Sequence, residues 1–197
     1  MPTAFQKELV TPAHRPADLC ALAARAWEEA SRALLENGHT LGEQTAAAAA
    51  LGAACEDQAC ALPALHAPYE ADVTAVVAAV HTAADLTRMG GLVRELAGRV
   101  PPDARPALAR LGAHAVIAAR ELQKILVEPG ADTGLDDAVA GVAAAERELR
   151  AWAGGRDWPY GVSTAVDVVL LAAVHGRFAA TAAGIARRVR GFAPVSA

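Results

Sequence analysis

The sequence predicts an all-α protein built as two tandem three-helix bundles, and three observations carry that prediction. Composition comes first. The 197 residues are 54% hydrophobic but only 4% aromatic, and much of the apolar content is alanine, the residue with the highest helix propensity. Alternating runs of β-branched and aromatic residues, which strands need, are scarce. Second, apolar residues recur at helical spacing along long segments. Third, the second half repeats the first at a constant offset of 89: Val73 with Val162, Val77 with Val166, Val80 with Val169, Ala84 with Ala173 and Arg88 with Arg177. The register continues through Leu96 with Ile185, Arg99 with Arg188 and Val100 with Val189. A period this long is a duplicated bundle rather than a solenoid unit. It divides the chain into a first unit, 1–100, and a second, 101–197.

The first helix is expected after the stretch 12–16. Leu19, Leu22, Ala23, Ala26, Ala30, Ala33 and Leu34 form one apolar stripe, and Asn37 and Gly38 supply a C-terminal stop. A second, alanine-dense helix is expected over about 41–62, with Pro63 and Pro68 in the turn that follows. A third starts near Glu70 and carries Val73, Val77, Val80, Met89, Leu92, Leu96 and Val100 before Pro101 and Pro102 end it. Gly90 and Gly91 lie in its interior at a cost of about 2 kcal/mol against alanine, so a bend or a compensating contact is expected there. The second unit reads as helices over about 104–127, 135–152 and 162–190, separated by turns at Pro129 with Gly130 and at 154–159. Pro68 and Tyr69 before the third helix recur as Pro159 and Tyr160 before the sixth. Connections this short favour antiparallel neighbours.

Charge and motifs exclude several function classes. The net charge is −4, without the clustered basic face that nucleic acid requires. Arg187, Arg188 and Arg190 sit in the last turns of the final helix, where cations suit the helix dipole. Cys20, Cys55 and Cys60 are odd in number and lack zinc-ligand spacing, so they read as free thiols in a reducing compartment. The N-terminal segment shows no basic stretch followed by an apolar run, and Asp167, His175 and Arg177 interrupt the apolar 164–186. The expectation is a cytoplasmic protein. No nucleophile elbow, phosphate loop, dinucleotide fingerprint or His-Glu-x-x-His motif is present, so no catalytic residue and no cofactor are assigned.

The approach 61–73, with Pro63 and Pro68, and the stretch Asp85, Leu86, Thr87, Arg88, Met89, Gly90, Gly91 resemble the PhoU family of phosphate-uptake regulators. In the second unit Gly176, Arg177, Phe178, Ala179 and Ala180 occupy the matching place, and Gly184 to Val189 resembles the family's ending. The resemblance covers nearly the whole chain. It implies a PhoU-like duplicated six-helix fold and a regulator that represses the phosphate-starvation response. Its partners would be the ATPase of the phosphate importer and/or a sensor histidine kinase, reached by protein–protein contact. Membrane complexes are reached only through such partners, and a homodimer is plausible. The family signature places two carboxylates four apart in each repeat, on one helix face, where they can share a metal cluster. Here those positions are Thr87 and Gly91, and Gly176 and Ala180, so no metal is assigned.

What remains of the signature is Asp85, Arg88 and Arg177, the candidate partner-contact residues. Guanidinium recognises phosphate and carboxylate well. The competing reading of Arg88 and Arg177 is an intrachain ion pair, with Glu56, Asp57 or Glu146 as candidate acids. His81 and Asp85, four apart, could share a metal but lack a third ligand nearby; a surface hydrogen bond is the simpler role. His175 reads as a packed or partly exposed histidine, Gly90 and Gly91 as a close-packing point, and Trp152 and Trp158 as either a partner anchor or a cap on the bundle. The alternative to a phosphate regulator is a repurposed helical scaffold. A di-metal bundle enzyme would need Glu and Glu-x-x-His sets that the sequence lacks.

Overall fold

The computed structural model describes residues 14–36 and 70–192. Five α-helices and no strand occur among them: α1 (His14–Leu35), α2 (Glu70–Leu92), α3 (Arg105–Val127), α4 (Leu135–Ala153) and α5 (Gly161–Phe192). The helix expected over 41–62 lies outside the described residues, as do Cys55, Cys60, Glu56 and Asp57.

Helix α1 begins at His14, ahead of the expected start, and places Pro16 in its first turn. Proline is tolerated there because the N–H it lacks has no intrahelical acceptor anyway. Helices α3, α4 and α5 match their expected bounds to within two residues. Asp136 and Asp137 lie in the first turn of α4 and Arg150 in its last, in the sense the helix dipole favours.

The third helix departs from its expected course to Val100. Helix α2 stops at Leu92, passes into a single 3-10 turn (Val93–Glu95), and the chain then runs through Gly98 at φ +152° towards Pro101. Gly90 and Gly91 in the last turn of α2 lower the propensity to continue. Pro101 and Pro102 bar a helix from running on into α3.

Helices α3 and α5 form the centre. Helix α1 packs chiefly on α3, and α3 packs on both α4 and α5. Helix α4 also packs on α5, and α2 bridges α5 and α1. The core is continuous from Leu19, Ala23 and Trp27 on α1 through Leu111, Ala115 and Leu122 on α3 to Val168, Phe178 and Ile185 on α5. Small residues let the axes approach: the Cys20 thiol reaches the Ala119 carbonyl across α1 and α3 at 3.2 Å. Burial pushes that thiol up to about 12, which makes it unreactive in the folded chain. At Gly141 of α4 a Cβ would stand 2.6 Å from the His114 ring on α3, so glycine sets that crossing.

Trp152 and Trp158 meet edge to face at 4.7 Å, and Trp158 meets Tyr160 at 5.3 Å. Trp158 donates to the Gly161 carbonyl, and the Tyr160 hydroxyl donates to Asp103. That hydrogen bond, with the negative charge behind it, raises the Tyr160 pKa. The cluster caps the end of the bundle where α4 turns into α5. Helix α5 is long and apolar enough to cross a membrane (Gly161–Gly191), yet half of its most apolar window is buried against the other helices, as in the core helix of a bundle.

Candidate functional site

The residues singled out by the repeat register converge on one cleft between α2 and α5. It has a volume of about 660 Å³, and Asp85, Arg88 and Arg177 all line it. The convergence follows from the packing. Helices α2 and α5 lie side by side, Leu86 and Met89 bury one face of α2, and Phe178 and Ala182 bury one face of α5. The residues between these anchors are left at the margin of the contact. Gly91, Ala180 and Gly184 are small, and their side of the cleft stays open.

Asp85 is the organising acid. Its side chain is only 14% exposed, and its two oxygens serve two helices. Oδ1 accepts from Arg88 Nη1 at 2.9 Å on α2 itself, and Oδ2 accepts from Arg188 Nη1 at 2.8 Å across to α5. Arg177 donates to Glu95, which follows α2 in the 3-10 turn. The ion-pair reading of Arg88 and Arg177 therefore holds, but with different acids from those expected: Glu146 pairs with Arg150 one turn along its own helix. His81 is exposed, and Asp85 is bonded to arginines rather than to it.

Three contributors were not singled out from the sequence. Arg94 and Glu95 line the cleft from the 3-10 turn, and Arg188 neutralises Asp85 from the far end of α5. Arg188 carries a signal, since it matches Arg99 at the 89-residue offset, but its place in the last turns of the final helix points equally to the helix dipole. Arg94 and Glu95 carry no repeat signal, since their counterparts are Ala183 and Gly184, although Glu95 lies seven residues beyond Arg88, on the same helical face.

The donor set does not fit a metal ion. Thr87, Gly91 and Ala180, at three of the four positions where the family signature places carboxylates, line the cleft without offering one. The Thr87 hydroxyl donates back to the Ala83 carbonyl, and Thr181 does the same to Arg177. At the fourth position, Gly176, an added Cβ would run into the Glu146 carboxylate on α4. The carboxylates that are present, Asp85 and Glu95, are held by arginines. No group of three or more His, Cys, Asp or Glu residues that could hold a metal occurs among the described residues.

His175, beside Arg177, faces the opposite way into the core. Its ring is 1% exposed and stands edge-on to Trp27, which also stacks on Phe178 with ring centres 3.9 Å apart. Nδ1 donates to the Leu171 carbonyl at 2.8 Å, while Nε2 has no partner among the described residues. Ser31 and Nε2 of His175 both approach Gly112, where the missing side chain leaves room. Burial lowers the His175 pKa to about 4, so the imidazole is neutral at physiological pH.

A charged cleft between two signature-bearing helices, on an alanine-rich bundle, defines the class: an all-α PhoU-like protein whose signature positions have exchanged carboxylates for other residues. Comparison with known proteins supplies the family. The chain is 33% identical to phosphate-specific transport system accessory protein PhoU homolog 2 of Mycobacterium tuberculosis, across 96% of both chains. It is 31% identical to PhoU homolog 1 of Mycobacterium leprae, across 96% of this chain and 92% of that one. This protein belongs to the PhoU family. No family model and no solved structure matches it.

Proposed function

We propose that this chain is a cytoplasmic accessory regulator of phosphate uptake and of the phosphate-starvation response. It acts by protein–protein contact with the ATPase of the phosphate importer and/or a sensor histidine kinase, and makes or breaks no bond. The observation that carries this reading is the near full-length relationship to accessory proteins of phosphate-specific transport systems. The contact surface we assign is the α2–α5 cleft with Asp85, Arg88 and Arg177, whose guanidinia are 68% and 54% exposed and positioned for an acidic partner. Two tandem units, 1–100 and 101–197, would present that cleft, as a monomer or a homodimer that sedimentation distinguishes.

The test is a deletion assayed in phosphate-replete medium. Derepressed starvation genes and unrestrained uptake, restored by the wild-type chain and not by the Arg88→Glu, Arg177→Glu variant, support the reading. Unchanged uptake and unchanged starvation-gene expression overturn it. The arginine-lined cleft, in place of a carboxylate set, favours one second reading: a helical scaffold of the same fold with a different partner. Affinity purification that recovers neither an importer component nor a sensor kinase would select it.

A further inference from the structure

We propose that the α2–α5 cleft is a metal-independent binding site for a phosphate-type oxyanion. The charge balance points this way. Arg88, Arg94 and Arg177 line the cleft against two carboxylates, Asp85 and Glu95. One of these, Asp85, is further neutralised by Arg188 from outside the lining. The surplus is positive, inside a concave site between two apolar helix packings, where the field of the lining charges is focused.

Donor supply points the same way. A guanidinium carries five N–H groups in a rigid fork. Arg88 uses Nη1 on Asp85 and Arg177 uses Nη2 on Glu95, which among the described residues leaves most of both forks unengaged. Arg94 makes no hydrogen bond or ion pair among the described residues. Its guanidinium lies over Gly91, with Nη2 3.7 Å from where a Cβ would be, at the edge of the cleft. Among the described residues, a cation entering here meets only carboxylates already held by arginines, whereas an oxyanion meets open forks from both α5 and the 3-10 turn. Forks from separate elements suit a tetrahedral oxyanion, which offers several oxygens at once, better than a planar carboxylate that one fork satisfies. Arg94 and Glu95, from the 3-10 turn that ends α2, bring charge to one side of the cleft, where the matching register on α5 holds Ala183 and Gly184.

The inference shares its cleft with the regulatory reading, and a titration of the isolated chain separates the two. Absence of binding would leave a regulator that works by protein contact alone, and failure of uptake control would leave the titration untouched. The experiment is calorimetric titration of the full chain, dialysed against a chelator, with inorganic phosphate and separately with O-phosphoserine. Phosphate is expected to bind at one site. Arg94→Glu is expected to weaken it at least tenfold, and Glu95→Gln to tighten it several-fold by releasing Arg177. Both substituted residues are exposed, and circular dichroism with thermal melts verifies that each variant folds. Phosphoserine binding as tightly as phosphate supports a phosphoryl group carried on a larger molecule, and phosphate binding more tightly supports the free ion. Binding of neither, equal affinity in Arg94→Glu, or binding that requires added divalent metal overturns the proposal.

Discussion

Helices α2 and α5 carry the same sequence register and build different things from it. Both bury one face in the core, with Leu86 and Met89 on α2 at the positions of His175 and Phe178 on α5. Both place an arginine at the cleft, Arg88 and Arg177. Yet α2 breaks at Leu92 and spends the following residues on charged groups at the cleft, whereas α5 continues to Phe192 as a core helix. The core face is retained because it packs against several neighbours at once, and the exposed face is free to diverge. Substitutions that exchange the two helices' residues measure how far the equivalence extends.

The largest effect is expected where the shared core face is cut. Phe178→Ala removes a fully buried ring stacked on Trp27 and should cost about 4 kcal/mol, and Met89→Ala, equally buried but unstacked, about 3. Urea denaturation of the two variants gives both numbers. A Met89→Ala loss larger than that of Phe178→Ala would mean that α2, not α5, anchors the core.

His175→Leu gives α5 the residue that α2 has at this position. His175 is neutral in the folded chain to about pH 4, while in the unfolded chain it takes up a proton near pH 6.5. The unfolded state therefore binds more protons between these values, and stability falls as pH drops from about 6.5 to 4. The loss is on the order of 3 kcal/mol over that window. In His175→Leu this contribution should vanish, and at pH 7 the variant should be as stable as the parent or slightly more so. It gives up the Leu171 hydrogen bond but also removes a buried nitrogen that has no partner among the described residues. Thermal unfolding at pH 7 and pH 5 checks both; an unchanged difference between the two pH values would show that His175 does not carry the acid sensitivity.

Glycines separate the helices again, at a smaller scale. Gly91→Ala introduces the residue that α5 carries as Ala180, and among the described residues the new Cβ meets only Arg94, at ordinary contact distance. It should stabilise α2 by about 1 kcal/mol. Gly176→Ala on α5 should give no such gain, because the new methyl displaces the Glu146 carboxylate from its place beside Arg150. Equal gains in denaturation midpoint for the two variants would refute that difference.

The same asymmetry explains what could be read from the sequence. The bounds of α3, α4 and α5 were legible because proline, glycine and apolar period agree at their ends. The end of α2 was not, since Val93 and Leu96 are buried beyond the break and keep the apolar pattern in phase. Periodicity records which residues are buried, and a 3-10 turn followed by an extended segment can bury the same ones. In the cleft, Arg88 and Arg177 were legible through their register. Arg94 and Glu95 were not, because no repeat marks them: their counterparts on α5 are Ala183 and Gly184. The acids that hold Arg88 and Arg177 are Asp85, three residues back on α2 itself, and Glu95, just beyond its end, rather than acids on the second or fifth expected helix.

The smallest effects test whether the cleft's ion pairs stabilise the fold or stand ready for a ligand. Arg177 and Glu95 are 54% and 47% exposed, so their attraction is screened and offset by side-chain entropy. Arg177→Gln should cost less than about 0.5 kcal/mol. Arg188 and Asp85 are 28% and 14% exposed, and Arg188→Gln leaves a mostly buried carboxylate with Arg88 as its one arginine among the described residues, at a cost of about 1 kcal/mol. Denaturation at low and high salt distinguishes the two pairs: salt should abolish the Arg177 contribution and largely spare that of Arg188. A structural Arg177 would show a loss as large and as salt-resistant as Arg188. A small, salt-sensitive loss means that Arg177 can be drawn away from Glu95 at little cost to the fold, as a residue that meets a partner or an oxyanion must be.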